Sequence, residues 1–188
     1  MYVRYGILRL LLVSGIIAFS AVRAEESLTP PDWVIEKGVC TVSGLKVKDY
    51  PQWQVCQYDK GGQWRVFAGM KNFLIFVNDP DKYLGMKVRH SGDVFVRDYT
   101  THKWVDALFA YFVVGDEIIG PNGRDVAAFE SKEKAEKFAK KNRGLGVVRM
   151  LGLRRTTLAY LQGVAPDSTE LDSVIVPKVI ETKNAPGR

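Results

Sequence analysis

"WRVFAGMKNFLIFVND", residues 64–79, and "DVAAFESKEKAEKFAKKN", residues 125–142, share one layout. In the first, Phe67 closes a run of strand-type residues and Phe76 follows nine positions later in a helical pattern. In the second, Phe129 closes the run and Phe138 follows nine positions later. Met70, Phe73, Leu74 and Val77 fall at helical spacing, and Pro80 stops that helix. In the second copy Ser131 caps the helix, Ala135, Phe138 and Ala139 form its buried stripe, and Gly144 ends it. Glu133–Lys137 and Glu136–Lys140 are favourable i,i+4 pairs there. Each helix precedes a strand carrying Val-Arg, "FVRD" at 95–98 and "VVRM" at 147–150.

Working outward, "QWQVCQY" at 52–58 alternates as a strand does, and "DKGG" turns it back as a hairpin. "KWVDALFAYFVVGDEIIG" at 103–120 holds two more strands, and "GPNG" turns into the strand that ends at Phe129. The result is α+β: two linked β-β-α-β modules, the first about 39–98 and the second about 99–150. Neither alone has enough apolar surface for a core, so the two should pack together. Residues 25–38, with Pro30 and Pro31, read as an extended lead-in. Residues 151–163 read as a short amphipathic helix, and the remainder to 188 as a loose polar tail.

The N-terminus sets the compartment. Arg4 and Arg9 precede an apolar run from Leu10 to about Val22, with Val22 and Ala24 at small-residue cleavage positions. This is a secretory signal pattern with cleavage expected after Ala24. The run is shorter than the roughly 20 residues of a spanning helix, so the mature chain is expected to be exported without a transmembrane span. Arg4, Arg9 and Arg23 leave with the signal, so 27 basic residues become 24 against 21 acidic ones, a net charge of +3. That mild excess in an exported chain argues against nucleic acid as a partner.

The chain has two cysteines, Cys40 and Cys56. An even pair in an oxidising compartment usually bonds, and closing a loop of about 15 residues would stabilise by roughly 3 kcal/mol. A Cys40–Cys56 disulfide is therefore expected; the rival reading buries Cys56 as a small residue within its strand. Two histidines leave little room for a nucleophile–histidine site, and neither "GGQW" nor "GPNG" has the Lys-Ser/Thr of a phosphate loop. Asp98 and Asp106 read as turn or capping residues. No enzyme is expected. Lys134, Lys137 and Lys141 read as a solvated helix face.

The stretch from Cys40 to Met150 resembles the NosL family of nitrous oxide reductase accessory proteins, regarded as periplasmic copper chaperones. "YPQW", "FAG" before a helix, "PDKY", "DY", "DA", "GPNG" and "AEKF" keep that family's order and spacing. The resemblance implies two linked β-β-α-β modules, a periplasmic location, and a copper site of cysteine, methionine and histidine. Where the family has Cys-x-x-Cys-Gly-Met, this chain reads "CTVSGL": Cys40 is kept, Ser43 replaces the second cysteine and Leu45 the methionine. In "GPNG", Asn122 replaces another methionine.

Cu(I) prefers thiolate and thioether sulfur, with imidazole compatible, so Ser43, Leu45 and Asn122 are poor substitutes. Cys40 is the inherited ligand candidate; Met86, His90 and His102 are candidates for a relocated set, while Met70 reads as core filler. Each has a plain reading too: Met86 and His90 sit in a loop-like stretch, and His102 at an exposed strand end. The expected function is a periplasmic accessory protein aiding copper delivery to, or maturation of, a respiratory metalloenzyme such as nitrous oxide reductase. Its partners would be that enzyme or its maturation machinery. The alternative is an interaction module that keeps the fold, closes it with Cys40–Cys56, and binds no metal.

Overall fold

The structure, a computed structural model, describes residues 28–85 and 92–164. The signal segment 1–24, Met86, His90 and residues 165–188 of the tail lie outside the described residues. Among the described residues no helix is long and apolar enough to cross a membrane.

Among the described residues the strands form two antiparallel sheets. In the first module β1 (Gln54–Asp59) and β2 (Trp64–Ala68) form a hairpin. Its turn is closed by Gly62 N–H on the Asp59 carbonyl at 3.0 Å and by Gln63 N–H on Asp59 Oδ1 at 2.8 Å. After the helices α2 (Met70–Asn78) and α3 (Asp81–Leu84), β3 (Gly92–Arg97) returns to the other side of β1, and β4 (Trp104–Asp106) adds beyond it. The second module repeats the plan with β5 (Tyr111–Gly120), β6 (Gly123–Phe129), α4 (Lys132–Lys141) and β7 (Gly144–Arg149). The sheet orders are β2-β1-β3-β4 and β6-β5-β7, so in each unit the first strand is flanked by the second and third.

The phenylalanines that exposed the repeat touch in both copies. The Phe67 and Phe76 ring centroids are 5.2 Å apart, and those of Phe129 and Phe138 are 5.0 Å apart. A strand-end ring against a ring in the following helix fixes how that helix lies on its sheet. The modules share one core: Phe67, Phe76 and Val96 cluster with Phe112, Val114 and Val126. On the opposite face of β5, Val113 joins Phe129 and Ala135 under α4. The alternation of period two along β5 thus divides its side chains between the two clusters. Helix α5 (Arg155–Leu161) seals the shared core with Leu158, Tyr160 and Leu161, in agreement with the amphipathic reading of that stretch.

Three expectations need correction. The lead-in is not wholly extended: Asp32–Glu36 forms a one-turn helix, α1, because Pro31 sets its entry and Val34 and Ile35 find a place in the core. The ion pairs on α4 are Lys132–Glu136 at 3.4 Å and Lys134–Glu130 rather than the two expected from spacing. Gly144 does not end α4. Arg143 takes the left-handed turn at φ 48° and Gly144 starts β7, where a Cβ would lie 2.8 Å from Ala139. Its smallness serves the close approach of strand and helix.

Candidate functional site

Cys40 begins a tight loop between α1 and β1. Its N–H donates to the Leu45 carbonyl at 2.8 Å, and its carbonyl accepts from Gly44 N–H at 3.0 Å. Gly44 adopts φ 75°, which closes the turn without a Cβ penalty. This folding brings the Ser43 N–H to 3.4 Å from Cys40 Sγ. The Cys40 side chain is buried, and Leu45 packs against the core.

Two of the chain's three replacements for sulfur, Ser43 and Asn122, meet on Asn72. Asn72, in the first turn of α2, donates from Nδ2 to Asn122 Oδ1 at 2.7 Å. The same nitrogen lies 3.5 Å from Ser43 Oγ and 3.4 Å from the Ala68 carbonyl. Lys71 Nζ donates to the Asn122 carbonyl. The Cys40 loop and α2 of the first module therefore converge with the β5–β6 turn of the second. The side-chain atoms these hydrogen bonds join are the Cys40 sulfur, the Ser43 hydroxyl, the Asn72 and Asn122 amides and the Lys71 amine. Among the described residues no group of three His, Cys, Asp or Glu side chains is placed to hold a metal.

Beneath this cluster lies Asp125. Its Oδ1 accepts from Lys71 N–H at 2.7 Å and from its own neighbour Val126 N–H at 2.8 Å. Oδ2 is buried with no partner among the described residues. Burial pushes this carboxyl up to about 7, against the pull of the Lys71 and Val126 amides and the Lys71 charge. Burial also lowers the Lys71 amine, with Asp125 opposing. Gly69, at φ 133°, is what lets the carboxylate in, since a Cβ there would stand 2.0 Å from Oδ2. Asp125 thus does for α2 what no side chain at its own N-cap does: it receives an orphan N–H of the first turn.

Asp98 is the counterpart at the other junction. Oδ1 accepts from Thr100 N–H, Thr100 Oγ1 and Thr101 N–H at 2.7–2.9 Å, and Oδ2 from Glu130 N–H at 2.8 Å, just ahead of α4. Burial would raise its pKa, but these bonds outweigh it and hold the carboxyl at about 2. Asp106 accepts from Leu108 N–H at 2.8 Å. Both aspartates are turn residues.

The sequence candidates are scattered. Cys56 is fully buried in β1, and burial pushes its thiol up to about 12, with Arg97 opposing. The expected disulfide is absent, for both cysteines are free. The reason is topological: Cys56 faces Val66 across the hairpin, and Thr41 binds the far edge of Val66. Two strand spacings, roughly 10 Å, separate the backbones at Thr41 and Cys56. Bridged cysteines need Cα atoms within about 7 Å. His102 is exposed in the β3–β4 turn at φ 56°, its carbonyl taking Arg97 Nη1 at 2.7 Å. That turn lies at the opposite edge of the sheet from the Cys40 loop, so Cys40 and His102 are not brought together. Met70 is buried in the core, as read from its helical position. Lys71, Asn72 and Asp125 were missed. The available signal was an Asn and a Lys inside the apolar run "GMKNFLIF".

Two β-β-α-β units joined through a Cys-loop, a helix N-terminus and a hairpin turn define an α+β scaffold of the NosL type. The NosL family model matches residues 33–157, and the chain belongs to that family. The crystal structure of the copper chaperone NosL from Shewanella denitrificans superposes with a TM-score of 0.52 at 23% identity, covering 61% of this chain and 88% of that one. At that identity the likeness shows the fold. No curated protein matches the sequence.

Proposed function

We propose that this protein is an exported, periplasmic NosL-family accessory factor that carries Cu(I) as cargo toward a respiratory metalloenzyme or its maturation machinery, with no chemical turnover. The observation that supports the reading most is the convergence of three of the family's motif positions, Cys40, Ser43 and Asn122, on one spot, with Cys40 retained. Cys40 Sγ is the one soft donor in the cluster, and Ser43 Oγ and Asn122 Oδ1 are hard, weak neighbours for Cu(I). A single thiolate holds Cu(I) more loosely than a several-sulfur set does, which suits handing it on. Because Cys40 is buried, loading requires the 40–45 loop to open.

The test is a Cu(I) titration of the reduced protein, under exclusion of oxygen, against a competing chelator. Binding that competes in the wild type and vanishes in Cys40→Ser supports the reading; failure to compete in both removes it. The hydrogen-bonded Ser43–Asn72–Asn122 arrangement favours a second reading, a metal-free interaction module on the same scaffold. Failure of both proteins to take Cu(I) is the outcome that selects it.

A further inference from the structure

We propose that the outer edge of β2, with the groove beside it, docks an extended, acidic segment of a partner protein as an added strand of the first sheet. The inference goes beyond the proposed function and stands whether or not copper is carried. Strand β2 is an edge in the order β2-β1-β3-β4. Asp59 N–H bonds the Gln63 carbonyl at 3.0 Å, which sets positions 63, 65 and 67 to pair inward and turns the backbones of Trp64 and Val66 outward. The Val66 carbonyl is taken by Thr41 N–H at 3.0 Å. The Trp64 N–H and carbonyl and the Val66 N–H face outward with no partner among the described residues. Donors and acceptors spaced at the strand repeat are matched by another strand, not by a lipid or a compact small molecule.

The space over that edge is an open groove of about 630 Å³. Its walls include Trp33, 61% exposed, and Val39, 54% exposed, together with Tyr58 and Trp64. Large apolar side chains left in water beside an open sheet edge are what alternate residues of an added strand would cover. Lys37 and Arg65 line the groove and no acidic residue does. Arg65 is committed to Asp59 at 2.6 Å, so Lys37 is the cation left for an occupant. A second copy of this chain would bring Lys37 against Lys37, which favours an acidic partner over self-association. Val39 and Thr41, both lining the groove, flank Cys40. An added strand would run alongside the loop that bears the proposed cargo ligand.

The test uses the full mature chain, labelled with nitrogen-15, and a synthetic peptide of about ten residues, alternating Val and Thr with a central Glu. Expected are amide shifts centred on Trp64 and Val66 with a shift of the Trp33 indole. N-methylation of the peptide amides that face β2 should weaken binding about tenfold or more. Lys37→Glu, at an exposed position that leaves the fold intact, should weaken the Glu peptide about tenfold and restore binding to a peptide with central Lys. No shifts at about 1 mM peptide, shifts elsewhere, or indifference to N-methylation would overturn the proposal. Binding seen only after removal of residues 165–188 would also overturn it, assigning the edge to the chain's own tail. Dimerisation that blocks the peptide would overturn it in favour of a second copy.

Discussion

The two modules share a strand order and a Phe–Phe contact, yet their helices begin in opposite ways. Helix α4 is amphipathic, lies over one sheet, and carries its own cap, Ser131 Oγ accepting from Lys134 N–H at 3.3 Å. Helix α2 has no side-chain cap of its own, buries Met70, Lys71, Asn72, Phe73, Leu74 and Phe76, and receives Asp125 from the other module. In return, Asp98 of the first module binds the Glu130 amide ahead of α4. Each module thus lends a carboxylate to the start of the other's helix. One sits among four donors and is held acidic; the other is buried with an empty oxygen and is pushed toward neutrality. The difference teaches where the molecule has been committed: the α2 junction carries the cluster around Cys40, and α4 serves its own module.

The sharpest way to break the comparison is Gly69→Ala. It sets a Cβ 2.0 Å from Asp125 Oδ2 at a φ of 133° and should cost about 3 kcal/mol or more, read from chemical denaturation. The two aspartates should next show opposite pH slopes. Asp125, raised from 3.8 to about 7, binds its proton more tightly in the folded state, so its contribution falls as pH rises from about 4 to about 7. Asp125→Asn should remove that loss, on the order of 2 kcal/mol or more across the window in stability measured against pH. Asp98, lowered to about 2, stabilises above about 4 and loses that contribution as pH falls toward 2. Asp98→Asn should flatten the acid limb, by roughly 2 kcal/mol. The smallest effect is Ser131→Ala, about 1 kcal/mol, because α4 loses one local cap and no contact between modules.

What the sequence disclosed follows from the same contrast. The start and buried stripe of α4 were legible because their signals are local, a cap and an apolar periodicity; its ion pairs and its end were not, since other residues pair and Arg143 takes the turn. The repeat was legible because Phe67–Phe76 and Phe129–Phe138 each lie within one strand–helix unit. The Ser43–Asn72–Asn122 contact was not, since it joins residues 29 and 50 positions apart across two modules. Asp125 reads as an ordinary strand-start acid until Gly69 is seen against it. The disulfide was inferred from compartment and parity, and neither says that Thr41, next to Cys40, lies across β2 from Cys56. The ligand role of Met86 and His90 falls outside the described residues, while His102 lies too far across the first sheet to join Cys40.

The most direct measurement is X-ray absorption at the copper edge on the Cu(I)-loaded, reduced protein. One sulfur neighbour together with lighter oxygen or nitrogen neighbours, the sulfur lost in Cys40→Ser, is the predicted result. Two or more sulfur neighbours, or a spectrum unchanged by Cys40→Ser, would contradict a cargo site resting on this single thiolate.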